Sequence, residues 1–139
     1  MAEERVLNIL LVEDDSVDVM TVERAFRRNK ITNPIWVASN GLEALELLRS
    51  DKIPPTRRII LLDINMPKMN GLEFLRELRA DPALARTTVV VLTTSNDEQD
   101  RIEAQNLNVA GYLLKPVTFT NFAELMAAMN KYWTLSELP

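Results

Sequence analysis

Four apolar residues run straight into a carboxylate at Ile59-Ile60-Leu61-Leu62-Asp63, and Pro67 follows four residues later. A continuous apolar run of this kind is the pattern of a strand covered on both faces, as in the middle of a parallel sheet. Asp63 then stands at the carboxyl end of a central strand, the edge at which open parallel sheets bind their ligands. A carboxylate there needs a reason, because an unpaired buried charge is costly. Helix capping is the simplest one, but no helical pattern begins until Gly71.

The rest of the chain alternates around this strand. Val6 to Val12 is a first apolar run, broken only by Asn8 and ending in Glu13-Asp14-Asp15-Ser16. Val19, Val22 and Phe26 then recur at helical spacing with charged residues between them, an amphipathic helix. Asp15 or Ser16 is its N-cap, and Arg27, Arg28 and Lys30 suit its C-terminal dipole. Pro34 to Ala38 reads as a second strand, with the proline favouring a sheet edge. Asn40-Gly41 and Asn70-Gly71 read as turns, each opening a leucine-spaced helix; the helix after Gly71 ends near Asp81-Pro82. Pro54-Pro55 marks a loop. A fourth strand, Thr88 to Leu92, runs into Thr93, and a fourth helix with little apolar content follows Asn96-Asp97-Glu98. Gly111 to Leu114 is a fifth strand ending in Lys115-Pro116, and Phe119, Phe122, Met126, Met129 and Trp133 stripe a fifth helix.

Strict alternation with short connections predicts an α/β fold. The expected architecture is a flavodoxin-like, doubly wound sheet of five parallel strands in the order 2-1-3-4-5, with five helices. The 139 residues suit one domain, 1–139, with its core from about residue 6 to 133.

Composition removes several chemistries. With no cysteine and no histidine, the chain holds no disulfide, zinc-thiolate site, Ser-His pair or phosphohistidine of its own. The net charge of −4 gives no sign of a nucleic-acid surface. No apolar run approaches a membrane span, and the acidic N-terminus is no signal peptide, so a cytoplasmic protein is expected.

In the predicted topology Glu13, Asp14, Asp63, Thr93 and Lys115 all end strands on one edge of the sheet. Clustered carboxylates repel unless protonated or bound to a cation, and oxygen ligands without His or Cys favour Mg²⁺ or Ca²⁺. A lysine and a hydroxyl beside a metal-bound carboxylate suit a phosphoryl group. The implied chemistry is nucleophilic attack of Asp63 on phosphorus, with Mg²⁺ as cofactor and Lys115 and Thr93 holding phosphoryl oxygens.

Val12-Glu13-Asp14, Asp63-Ile64-Asn65-Met66-Pro67, Thr93 and Tyr112-Leu113-Leu114-Lys115-Pro116, in this order and spacing, resemble the receiver domain of two-component response regulators along essentially the whole chain. The resemblance implies Asp63 as phosphoacceptor and Glu13 and Asp14 as the acidic pair. Asp14 and Asp63 would bind Mg²⁺, and Asn65 would add its backbone carbonyl. Asp15, one residue past the pair, is expected to be a cap. Lys115 would contact the phosphoryl group, and its bond to Pro116 would be cis. Thr93 and Tyr112 would form the switch that reshapes the surface of helix 4, strand 5 and helix 5. Thr94 departs from the small residue usual there, and with Asn65 and Ser95 it bears on the phosphoryl lifetime. Such a domain accepts and loses a phosphoryl group without being an enzyme that turns over an outside product.

Only Thr134 to Pro139 follow the fifth helix, so no output module is expected within this sequence, and a protein contact would carry the signal. The implied donor is a sensor histidine kinase. Lys115-Pro116-Val117-Thr118-Phe119, Phe122 and Tyr132-Trp133 resemble single-domain members paired with phytochrome-type kinases. The apolar end of the last helix, at Trp133, is expected to pair with helix 4 and strand 5 in a symmetric homodimer. A haloacid-dehalogenase-type phosphohydrolase would need a second acid two residues after the nucleophile, where Asn65 stands, as well as a cap domain and a late acidic pair. A P-loop is absent, and Glu13-Asp14-Asp15 would repel the phosphate of a flavin. The intact set of acids, Thr93 and Lys115 argues against a receiver-like module that never sees phosphate.

Overall fold

The computed structural model describes residues 8–28, 33–66, 68–94, 97–115 and 124. Along the chain these form β1 (Asn8–Val12), α1 (Ser16–Arg28), β2 (Ile35–Ala38), α2 (Gly41–Arg49), β3 (Arg58–Leu62), α3 (Gly71–Ala80), β4 (Thr88–Thr93), α4 (Glu98–Asn106) and β5 (Gly111–Leu114). All strand pairs are parallel, in the order β2-β1-β3-β4-β5. This is the expected flavodoxin-like α/β sheet, with β3 at its centre and the Pro34-led strand β2 at an edge. The fifth helix, its Phe119 to Trp133 stripe and the Lys115–Pro116 bond lie outside the described residues.

Alternate residues of the apolar strands serve opposite faces. Ile9, Leu11, Ile59, Leu61, Val90 and Leu92 pack with Ala25 and Phe26 of α1. Leu10, Val12, Ile60, Leu62 and Val89 pack with residues of α2 and α3, among them Leu45, Leu48, Phe74 and Leu78. That division explains why β1 and β3 show no polar alternation: each strand is covered twice. Helix α4 contributes only Ala104 as a buried residue, as its thin apolar content foretells.

Two expected turns are helix caps instead. Asn40 and Asn70 sit in extended conformation and accept from the backbone N–H groups of Glu43 and Glu73, so Gly41 and Gly71 begin helices α2 and α3. Asn70 and Glu73 complete a reciprocal capping box. The choice at α1 falls to Asp15, whose carboxylate accepts from the N–H groups of Val17 and Asp18. Asp97 caps α4 in the same way.

Two arginines tie connecting segments together. Arg79 on α3 donates to the carbonyls of Ala85, Thr87, Leu107 and Asn108, joining the segments before β4 and after α4. Arg58 donates to the carbonyls of Leu48, Ile53 and Pro54 and closes the proline-bearing loop.

Candidate functional site

The parallel ladder continues one residue beyond the ends of three strands. Glu13 N–H donates to the Ala38 carbonyl, Asp63 N–H to Val12, and Lys115 N–H to Thr93. Glu13, Asp63 and Lys115 therefore share the register parity of Leu11, Leu61 and Leu113, which pack on the α1 side of the sheet. Backbone pairing thus gathers three side chains from distant parts of the chain at one edge.

Carboxylate oxygens of Glu13, Asp14 and Asp63 all lie within 4.8 Å of one another. Glu13 and Asp63 are buried and Asp14 is exposed, so the cluster opens to solvent through Asp14. Asp63 caps no helix. Its Oδ1 accepts from the N–H of Asn65, at 3.2 Å, within its own loop. The Lys115 ammonium donates to Glu13 Oε1 at 2.5 Å and to Asp18 Oδ2 at 2.8 Å. It stands 3.7 Å from Asp63 Oδ2.

Burial pushes the Glu13 carboxyl up to about 7; the hydrogen bond from Lys115 opposes that shift and the charge of Asp63 adds to it. For Lys115, burial alone would favour the neutral amine, but the hydrogen bonds to Asp18 and Glu13 and the charge of Asp63 outweigh it and raise its pKa. The ammonium is firmly charged, while the acids around it outnumber it.

This donor set fits a hard divalent cation. Three converging carboxylates, one of them held above its ordinary pKa by burial and by its neighbour's charge, carry an excess of negative charge that a cation would relieve. Asn65 is exposed in the loop after Asp63, next to the cluster.

Thr93 ends β4 and is fully buried. Tyr112, on β5, is half-buried against the Ile64, Leu72, Val91 and Ala104 cluster, with the Arg101 guanidinium 5.3 Å from its ring centroid. Tyr112 therefore packs toward α4 rather than joining the carboxylate cluster. Ser95 and Pro67 lie outside the described residues.

One member of the arrangement escapes a reading of the sequence. Asp18 looks like an ordinary acid in the first turn of α1, where the helix dipole favours it. Its partner Lys115 is 97 residues away. Its position one turn beyond the acidic run is the only local signal.

Residues 9–130 match the response regulator receiver domain family. The chain is 34% identical over 128 residues to the response regulator Rcp1 of Synechocystis sp., covering 90% of this chain and 87% of that protein. The Mn²⁺-bound structure of Rcp1 superposes with a TM-score of 0.72 at 33% identity, covering 96% and 97% of the two chains. A two-component response regulator from Legionella pneumophila is 38% identical with a TM-score of 0.78, covering 90% and 98%. The phosphorylated cyanobacterial phytochrome response regulator RcpA is 31% identical with a TM-score of 0.74, covering 96% and 97%. Family match, full-length relatives and the parallel sheet with its acidic edge agree: the chain belongs to the response regulator receiver domain family.

Proposed function

We propose that the chain is a receiver that accepts a phosphoryl group on Asp63 from the phosphohistidine of a sensor kinase. The observation carrying this reading is the placement of Asp63 within one acidic cluster and 3.7 Å from the Lys115 ammonium. An Asp63 oxygen attacks phosphorus, the P–N bond of the donor breaks, and its electron pair returns to the departing imidazole. Lys115 offers an N–H to a phosphoryl oxygen, and the Thr93 hydroxyl binds another as the domain switches. Glu13, Asp14 and Asp63, with the Asn65 backbone carbonyl, would hold Mg²⁺. When bound, that ion neutralises the carboxylates and the phosphoryl oxygens.

In this reading Thr93 and Tyr112 couple the phosphoryl group to the α4, β5 and fifth-helix surface, which passes the signal to a downstream protein and supports a homodimer. Similarity to the cyanobacterial phytochrome response regulator RcpA favours a phytochrome-type kinase as donor. The whole chain, 1–139, acts as one receiver unit with its core at about 6–133, and as a phosphoacceptor rather than an enzyme. Among the described residues no helix is long and apolar enough to cross a membrane. The proposed location is the cytoplasm, where a kinase domain would meet the chain.

Intact-protein mass after incubation with acetyl phosphate tests the assignment. A gain of one phosphoryl group that needs Mg²⁺ and is lost in Asp63→Asn is the expected result. Full uptake in Asp63→Asn would overturn the nucleophile assignment.

A further inference from the structure

We propose that Asp18 is a positioning residue that holds the Lys115 ammonium at the acceptor carboxylate. The inference rests on the reading of Asp63 and Lys115 given above.

An ammonium has three N–H donors. Glu13 takes one at 2.5 Å and Asp18 a second at 2.8 Å, while Asp63 lies at 3.7 Å, beyond hydrogen-bond length. Two carboxylates thus fix the head of a long, flexible side chain and leave one donor for whatever oxygen arrives at Asp63. The two anchors are not equivalent. Glu13 belongs to the carboxylate cluster suited to a cation, and Asp18 does not. A cation in that cluster draws on the charge of Glu13 and repels the Lys115 ammonium. Asp18, on α1 and outside the cluster, is the anchor that keeps its full charge for the lysine. Its side chain is only 36% exposed and that of Lys115 13%, so the pair is partly shielded from water. An exposed pair contributes little, but shielding strengthens this one.

The role needs a carboxylate at Asp18 rather than a hydrogen-bonding amide. It also needs Lys115 to be present for the effect to be felt. The test measures the acetyl phosphate reaction at saturating Mg²⁺ for wild type, Asp18→Asn, Asp18→Glu, Lys115→Met and the Asp18→Asn/Lys115→Met double variant. Asp63→Asn is the control. Asp18→Asn is expected to slow phosphoryl uptake about ten-fold, the lower end of what loss of an orienting partner costs at a metal site. Its Mg²⁺ affinity should stay within about two-fold of wild type, because Asp18 holds no cation in this scheme. Asp18→Glu should recover most of the rate. In the Lys115→Met background, Asp18→Asn should change nothing further.

A second readout needs no phosphorylation. The Lys115 ζ-ammonium should give a protected ¹⁵N resonance in the Mg²⁺-loaded protein, and Asp18→Asn should broaden it away. A wild-type rate in Asp18→Asn, an equal loss in the Lys115→Met background, or an unchanged ammonium resonance would each overturn the inference. Absence of uptake in wild type would instead defeat the acceptor reading, and the resonance would still decide whether Asp18 holds Lys115.

Discussion

A Cβ on Gly71 would stand 2.5 Å from the backbone carbonyl oxygen of Asp63 and 2.6 Å from the Cα of Ile64. The first residue of α3 thus packs directly on the main chain of the candidate acceptor. The Gly71 N–H also donates to the Ile64 carbonyl, at 2.8 Å. Backbone cannot swing aside as a flexible side chain does, so any larger residue must push α3 off the loop or move Asp63. Gly71→Ala should destabilise the fold by about 1–3 kcal/mol, as overpacking does. Thermal melting should fall by roughly 3–10 °C for a domain of this size. Acetyl phosphate uptake should fall in the folded fraction as well, since the displaced group carries Asp63. A variant that melts and reacts like wild type would refute the packing constraint.

Asp63→Asn removes one of three mutually repelling carboxylates while keeping the shape of the side chain. In EDTA the variant should melt no lower than wild type, because relief of repulsion offsets the weakened attraction to Lys115. Added Mg²⁺ should raise the melting temperature of wild type but hardly that of the variant, whose cluster has lost a charged ligand. Melting curves with and without Mg²⁺ check both statements. An Asp63→Asn protein stabilised by Mg²⁺ as strongly as wild type would place the cation elsewhere.

The sheet order and its central strand are legible in the sequence for a simple reason. Residues covered on both faces must be apolar throughout, so Ile59 to Leu62 announce a central strand without help from the rest of the chain. Glu13, Asp63 and Lys115 are legible because each follows such a run directly, and parallel pairing carries all three to the same edge. Asp18 is not legible, because its local role in the first turn of α1 already accounts for an acid there. Only the packing of α1 on that face of the sheet brings it to Lys115. Asn40 and Asn70 read as turn residues because Asn-Gly favours turns, and the same side chain caps a helix equally well. Arg79 likewise looks like a basic residue suited to a helix C-terminus, and nothing local marks its four carbonyl partners.

Those partners make Arg79 a structural clamp far from the acidic edge. Its guanidinium joins carbonyls of Ala85 and Thr87 to carbonyls of Leu107 and Asn108. Arg79→Ala should cost about 2–3 kcal/mol, because half-buried carbonyls lose charge-assisted partners. Arg79→Lys should recover only part of it, since an ammonium cannot span the fork. Phosphoryl uptake by the folded protein at low temperature should be unchanged in both. Denaturant melts and acetyl phosphate assays on the same samples separate the two effects, and an intact melt in Arg79→Ala would show that the clamp is dispensable.

The Glu13 carboxyl, at about 7 in the folded chain, lies above its ordinary value of 4.5. Such a group contributes its full stability below the ordinary value and loses it as pH rises through the folded value. In EDTA, the melting temperature of wild type relative to Glu13→Gln should therefore decline between about pH 4.5 and 7 and level off above. The proton competes with a cation for the same carboxylate, so the apparent Mg²⁺ affinity should run the other way, rising with pH to a plateau above about 7. Calorimetric titration in buffers of different ionisation enthalpy should show proton release on Mg²⁺ binding at about pH 6.5, below the Glu13 midpoint of about 7, and little at about pH 8.5, well above it. Glu13→Gln should release none at either. A wild-type Mg²⁺ affinity that is flat from pH 6 to 8 would mean that Glu13 is already ionised in the metal-free chain.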